Sequence, residues 1–168
     1  MDYLELCTVL WDELNQHYPK ELGEVLECPN LEYSYDFIGF IEQYEALSRL
    51  IPNHWTVIDF GCYVGVQAYY FRNHIKYIGV DPFQGPRLRT ENSEYHQLSI
   101  SDYFKLFKPE PGVNLPTSTF AICNFVPAYS GLIRESFPNL FIYYPESDKK
   151  YGPHVDIQKI FKNRRHAE

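Results

Sequence analysis

Two carboxylates close short apolar runs, and a glycine turn follows the first of them. Val57-Ile58-Asp59-Phe60-Gly61-Cys62-Tyr63-Val64-Gly65 reads as a buried strand that ends in a tight turn and leads into a helix. Tyr77-Ile78-Gly79-Val80 reads as a second strand, closed by Asp81-Pro82. A glycine-bearing turn between strand and helix lets a ligand approach the backbone closely. Asp81 lies 20 residues beyond Gly61, where an acid at the end of the neighbouring strand can accept hydrogen bonds from two ribose hydroxyls. Asp102 and Asn124 are the other polar residues expected at strand ends. Each also has a plainer use. Asp59 can cap the turn, Asp81 can be a pre-proline turn residue, and Ser101-Asp102 can cap a helical turn at Tyr103. Asn124 can bond local backbone.

The elements that must position these residues follow from periodicity. Residues 2–17 read as a helix capped by Asp2, with Tyr3, Leu6, Cys7, Leu10 and Leu14 on one face and Pro19 ending it. Residues 20–27 allow one or two further helical turns. A helix from Phe37 to Ile51 follows Asp36, its apolar stripe made by Phe37, Phe40, Ile41, Tyr44, Leu47 and Ile51. After the strand at 55–58 come a helix at 64–73, the strand at 77–80, and a crossover with room for only a turn or two of helix. A weaker third strand is expected over 95–100, ending in Ser101-Asp102. Phe120–Cys123 and Leu140–Tyr144 are the fourth and fifth strands, with helical stretches near 130–137 and 155–165. Residues 108–118, with three prolines and a glycine, form a loop. Strand and helix in alternation predict an α/β fold: a Rossmann-like, doubly wound, mostly parallel sheet of about five strands with helices on both faces and an N-terminal helical extension.

The chain of 168 residues suits one domain. The expected division is an extension over 1–35, a core over 36–145 and a C-terminal helix over 146–168. A net charge of −7 argues against an overall basic, phosphate-tracking nucleic-acid binder. The basic stretch at 162–166 reads as a solvated helix end. No apolar run is long enough for a membrane helix, and the acidic start does not read as a secretory signal. The four cysteines, Cys7, Cys28, Cys62 and Cys123, form no CxxC pair and read as free thiols in a reducing cytoplasm. The six histidines form no i, i+4 pair, so no metal site is predicted.

The spacing of Asp59, Gly61, Gly65, Asp81 and Asp102 resembles that of the class I S-adenosylmethionine-dependent methyltransferases, over about residues 36–145. Their first motif is an acid, then a turn of the form Asp-x-Gly-x-Gly-x-Gly, which Asp59, Gly61 and Gly65 match. The resemblance implies S-adenosylmethionine as cofactor, with Asp81 on its ribose, Phe83 against the adenine and Asp102 at the adenine amino group. Asn124, with Phe125, falls where the family places reaction-facing residues; Asn124 and Tyr129 are the catalytic candidates. Tyr63 replaces the middle glycine and either crowds or lines the methionine end. Asn124-Phe125-Val126-Pro127 is not the signature of the amino-methylating DNA enzymes. The surrounding segments (1–35, 108–118 and 125–131) are Tyr-rich and not basic, which favours a small-molecule or protein acceptor. The short stretch after Tyr144 leaves strand five as an exposed edge, which a homodimer or a partner chain could cover. The alternative is a catalytically inactive methyltransferase-fold protein that acts by binding. A nicotinamide site would want G-x-G-x-x-G and no acid closing strand one.

Overall fold

A computed structural model describes residues 3–26, 41–107, 118–123, 130–137 and 140–142. The helices are α1 (Tyr3–His17), α2 (Pro19–Leu26), α3 (Ile41–Leu50), α4 (Ile100–Phe107) and α5 (Ser130–Ser136). The strands are β1 (Thr56–Phe60), β2 (Lys76–Val80), β3 (Ser93–His96), β4 (Thr119–Cys123) and β5 (Leu140–Ile142), and a 3-10 helix runs over Val66–Phe71. The strands form one sheet in the order β3-β2-β1-β4-β5. Every neighbouring pair is parallel. β1 lies at the centre, where the chain first winds one way to β2 and β3 and later the other way to β4 and β5. That reversal is the point at which doubly wound sheets bind ligands. The fold is the Rossmann-like one that the strand–helix alternation predicts.

Successive strand residues face opposite sides, and both faces of the central strands are packed mainly with apolar residues, with Asp59 the buried acid among them. Val57, Tyr77, Phe120 and Ile122 meet Leu10 and Leu14 of α1, Tyr44 and Leu47 of α3, and Ala68 and Phe71 of the 3-10 helix. On the other face Ile58, Phe60, Val80 and Ala121 meet Ile100, Tyr103 and Phe104 of α4, with Ile133 and Phe137 at α5. The predicted stripe of the 37–51 helix is confirmed at Tyr44, Leu47 and Ile51, all 1% exposed or less.

Three local expectations are corrected. The third strand is Ser93–His96, not 95–100, because Ser99 caps a helix: its Oγ accepts the Asp102 N–H at 3.1 Å. Ile100, Tyr103 and Phe104 then fall on one buried helical face. No helical turn forms between β2 and β3. Pro82, Gly85 and Pro86 break residues 81–90, and the segment runs as irregular backbone. The stretch after the glycine turn is a six-residue 3-10 helix rather than a helix over 64–73. It is confined between the left-handed Gly65 and the sharp exit at His74, whose N–H returns to Phe71 O at 3.0 Å. The expected segments at 27–40, 108–117 and 143–168, including the C-terminal helix, lie outside the described residues.

Candidate functional site

The turn after β1 takes its shape from three left-handed residues: Gly61 (φ 79°), Tyr63 (φ 52°) and Gly65 (φ 74°). Glycine adopts that conformation freely; Tyr63 does so at a cost of about 1–2 kcal/mol. The backbone at 63 therefore has the conformation that a glycine would favour there, but carries a side chain. The Tyr63 ring packs on Phe83, centroids 4.5 Å apart and 45° tilted. Tyr63 N–H donates to Asp81 Oδ2 at 3.1 Å, and Phe83 N–H donates to Asp81 Oδ1 at 2.8 Å. Gly61 N–H bonds to Val80 O at 2.8 Å, which ties the turn to the end of β2 a second time. Half-buried Asp81 thus stands at the lip of the turn, one backbone bond on each oxygen.

Asp59 is placed differently. It is 1% exposed, beneath the turn, and its Oδ2 accepts Tyr77 O–H at 2.6 Å and the Gln67 amide N–H. Burial pushes its carboxyl up to about 7, against the pull of those two hydrogen bonds. The two strand-end acids do not converge: Asp81 is half-buried and bonds the turn at Tyr63 N–H, whereas Asp59 is buried against Gln67 and Tyr77. Asp102 does not join them. It sits in the first turn of α4, its side chain 57% exposed and 3.7 Å from Lys105. The corrected end of β3 explains this, since Asp102 is a helix residue and not a strand-end one. Asn124 and Tyr129 lie outside the described residues.

Five residues at this site carry no sequence motif. Arg87, 6% exposed, donates to Tyr63 O, to Asp81 O at 2.9 Å and to Phe83 O at 2.6 Å. Its guanidinium lies 5.4 Å from the Phe83 and the Tyr95 ring centroids. Leu88 N–H bonds to Val64 O at 2.8 Å, so the 81–88 segment is laced along the turn. Tyr95 O–H reaches Gly65 O at 3.3 Å and also Leu88 O, so its ring closes the β3 side. Gln67 and Tyr77 hold Asp59. Gln67 had one legible signal, a polar residue within the apolar run 66–71; Arg87 had none, because it works through backbone carbonyls distant in sequence.

Elsewhere a groove of about 410 Å³ is lined by Glu13, Glu45, Arg49, Tyr69, Arg72 and His74, among others. Asn53 and His74 also line it, and both precede strands, so it lies at the amino ends of the sheet, away from the turn. Its charges are largely spent internally: Arg49 pairs with Glu45 at 2.6 Å, and Arg72 lies 3.9 Å over the Tyr69 ring. Among the described residues no group of three His, Cys, Asp or Glu could hold a metal ion, and no helix is long and apolar enough to cross a membrane.

Fold and turn together define a Rossmann-like α/β protein with a half-buried acid, Asp81, bonded to a glycine turn at the switch point. No family model matches the chain, and no curated protein does. Among solved structures it is similar to a proposed type II methyltransferase from Anaeromyxobacter dehalogenans, at 18% identity over 56% of this chain and 38% of that one, TM-score 0.39. It is also similar to the plantazolicin methyltransferase BpumL in complex with SAH, at 11% identity over 79% and 58%, TM-score 0.39. The complex of that enzyme with a monoazolic desmethylPZN analog and SAH gives 13% identity over 99% and 71%, TM-score 0.45. The chain spans well under two thirds of the length of the first two.

Proposed function

We propose that the chain binds S-adenosylmethionine at the turn after β1 and transfers its methyl group to a small molecule or a protein side chain. The observation that carries this reading is the join between Asp81 and the turn. Each Asp81 oxygen accepts one backbone N–H and keeps a further lone pair, so a half-buried carboxylate can still take two ribose hydroxyls. Phe83 stands next to it as an apolar wall for adenine. The three left-handed residues keep the turn open-backed for the amino-acid end, except where the Tyr63 ring stands. The sulfonium supplies an already activated methyl group. The protein's part is then to orient the acceptor and exclude water, and orientation alone contributes on the order of 7–11 kcal/mol.

One observation favours a second reading, a binding protein without turnover. The Tyr63 ring rests on Phe83 and Arg87 braces both, which narrows the place where adenine and methionine would lie.

Calorimetry with S-adenosylmethionine and its demethylated product tests both readings. Wild type is expected to bind. Asp81→Ala is expected to weaken binding about 10–100-fold, through loss of charge-assisted bonds to ribose and of the two backbone anchors. Tyr63→Gly is expected to tighten it, with folding stability within about 1 kcal/mol of wild type, because relief of left-handed strain offsets the lost ring contact. Absence of heat with either compound at about 1 mM would sink the proposal. Binding with no methyl transfer to any acceptor tried would leave the second reading in its place.

A further inference from the structure

The polar atoms beneath the turn do not balance. Gln67 spends one amide N–H on Asp59 Oδ2 and donates to Cys62 O at 3.2 Å with the other. Tyr77 O–H takes a second position on the same Asp59 Oδ2. Asp59 Oδ1 and Gln67 Oε1 are left buried with no donor, and both residues are 1% exposed. Two bare acceptors in an apolar layer are costly, and an ionised carboxylate with one bare oxygen more so. Turning the amide over does not help, since its oxygen would then meet two other acceptors, Asp59 Oδ2 and Cys62 O. One proton supplies the missing donor. It belongs on Oδ1, because Oδ2 already accepts twice. A proton there, donated to Gln67 Oε1, would satisfy both bare acceptors and close a cyclic acid–amide pair with the amide N–H that reaches Oδ2.

We propose that Asp59 is held as a neutral acid whose proton joins Oδ1 to Gln67 Oε1, and that this pair is a proton-dependent lock on the glycine turn. The lock reaches the turn through Cys62 O, which takes the Gln67 amide from one side and the Gly65 N–H, at 3.0 Å, from the other. When Asp59 ionises, the donor to Gln67 Oε1 is lost, the amide is drawn toward the charge, and the Cys62–Gly65 turn loosens. This lock goes beyond the cofactor reading and does not depend on it.

The groups facing Asp59 leave it as the one that titrates near neutrality. Tyr77 of β2, Cys62 of the turn and Tyr95 of β3 are all pushed up by burial and stay neutral. The charge of Asp81 opposes ionisation of Asp59. Arg87 is the cation at the Cys62 and Tyr95 end of the cluster. From β4 the register partner is Ile122, which is apolar. Burial also places the Asp59 carboxyl near 7 rather than 3.8.

The sign of the pH effect follows. An acid whose folded value is raised contributes no penalty below its unfolded value; its penalty grows as pH rises from there to the folded value and is constant above it. Between about pH 5 and 7 the ratio of the wild-type unfolding constant to that of Asp59→Asn is expected to rise about tenfold per pH unit. Asn supplies a donor toward Gln67 Oε1 and an acceptor for Gln67 and Tyr77, as the neutral acid does, with one N–H more, so that variant should fold and keep the turn locked. The infrared spectrum at about pH 6, where ordinary carboxyls are ionised, should show a protonated-carboxyl band in wild type that Asp59→Asn lacks. In Gln67→Met that band should move to the frequency of an unbonded acid. Exchange protection of the Gly65 N–H should fall about tenfold between pH 6 and 8 in wild type and not in Asp59→Asn. A wild-type spectrum at pH 6 without that band, or equal Gly65 protection at the two pH values, would overturn the proposal. Neither measurement uses a ligand, so failure here is separate from failure of the cofactor reading.

Discussion

Gly65→Ala is expected to lower folding stability by about 3–5 kcal/mol, a combination of left-handed backbone strain and overpacking. At φ 74° an added Cβ is strained before any contact is considered. It would also clash with Tyr95 Oη and stand under 3 Å from two ring carbons. The ring has nowhere to retreat. Its hydroxyl is bonded to Gly65 O and Leu88 O, and the same Cδ1–Cε1 edge already lies against Gly79, where a Cβ would meet it at 2.6 Å. Gly131, in α5, is the matched control: nothing lies within 4 Å of its Cβ position. Gly131→Ala should leave stability unchanged or raise it by up to about 1 kcal/mol. Urea unfolding of the two variants measures the contrast. A loss below about 1 kcal/mol at Gly65 would show that Tyr95 can move aside and that the turn is softer than its hydrogen bonds imply.

The Tyr95 contact also shows where sequence reading stops. The strand-turn-strand core was legible because continuous apolar runs such as Val57-Ile58 and Phe120-Ala121-Ile122 have few other places to go than a sheet buried on both faces. Asp81 was legible because a strand end followed by proline has a narrow set of conformations. The reason for Gly65 was not. Its glycine has a structural cause, the Tyr95 ring 30 residues away, as well as any role in admitting a ligand. Asp102 was misplaced because Ser99 and the 3.6-residue spacing of Ile100, Tyr103 and Phe104 outweighed the weak strand pattern that precedes them. Asp59 stands out in the sequence as the acid that closes the first strand, yet its partners Gln67 and Tyr77 could be found only once β2 lay beside β1 in register, Asp59 opposite Gly79. Local spacing carries backbone geometry well. It carries little about side chains that act through a neighbour's carbonyl, which is how Arg87 works.

Arg87→Met is expected to lower stability by about 2–4 kcal/mol and to disorganise the turn and the loop after β2. The guanidinium joins three carbonyls from two segments: Tyr63 O in the turn, and Asp81 O and Phe83 O in the loop after β2. Methionine fills much of the same volume but donates nothing, so three acceptors around a 6% exposed position lose their partner. Each unsatisfied buried carbonyl costs about 1–3 kcal/mol, and water can reach those at the half-buried lip, which keeps the total below the sum. Arg87→Lys should fall between, since an ammonium can meet one or two of the carbonyls but lacks the planar fork that spans both segments. The consequence for function is geometric. Asp81 keeps its place beside the turn because the 81–88 segment is braced against a turn that Tyr63 strains. Without the brace, the left-handed residue 63 relaxes, its N–H leaves Asp81 Oδ2, and the ring stack on Phe83 opens. Near-UV circular dichroism should therefore lose the Tyr63–Phe83 signal in Arg87→Met below the unfolding transition, while far-UV intensity stays. A variant as stable as wild type within about 0.5 kcal/mol, with its near-UV spectrum intact, would mean that the turn holds its shape through Asp81 alone.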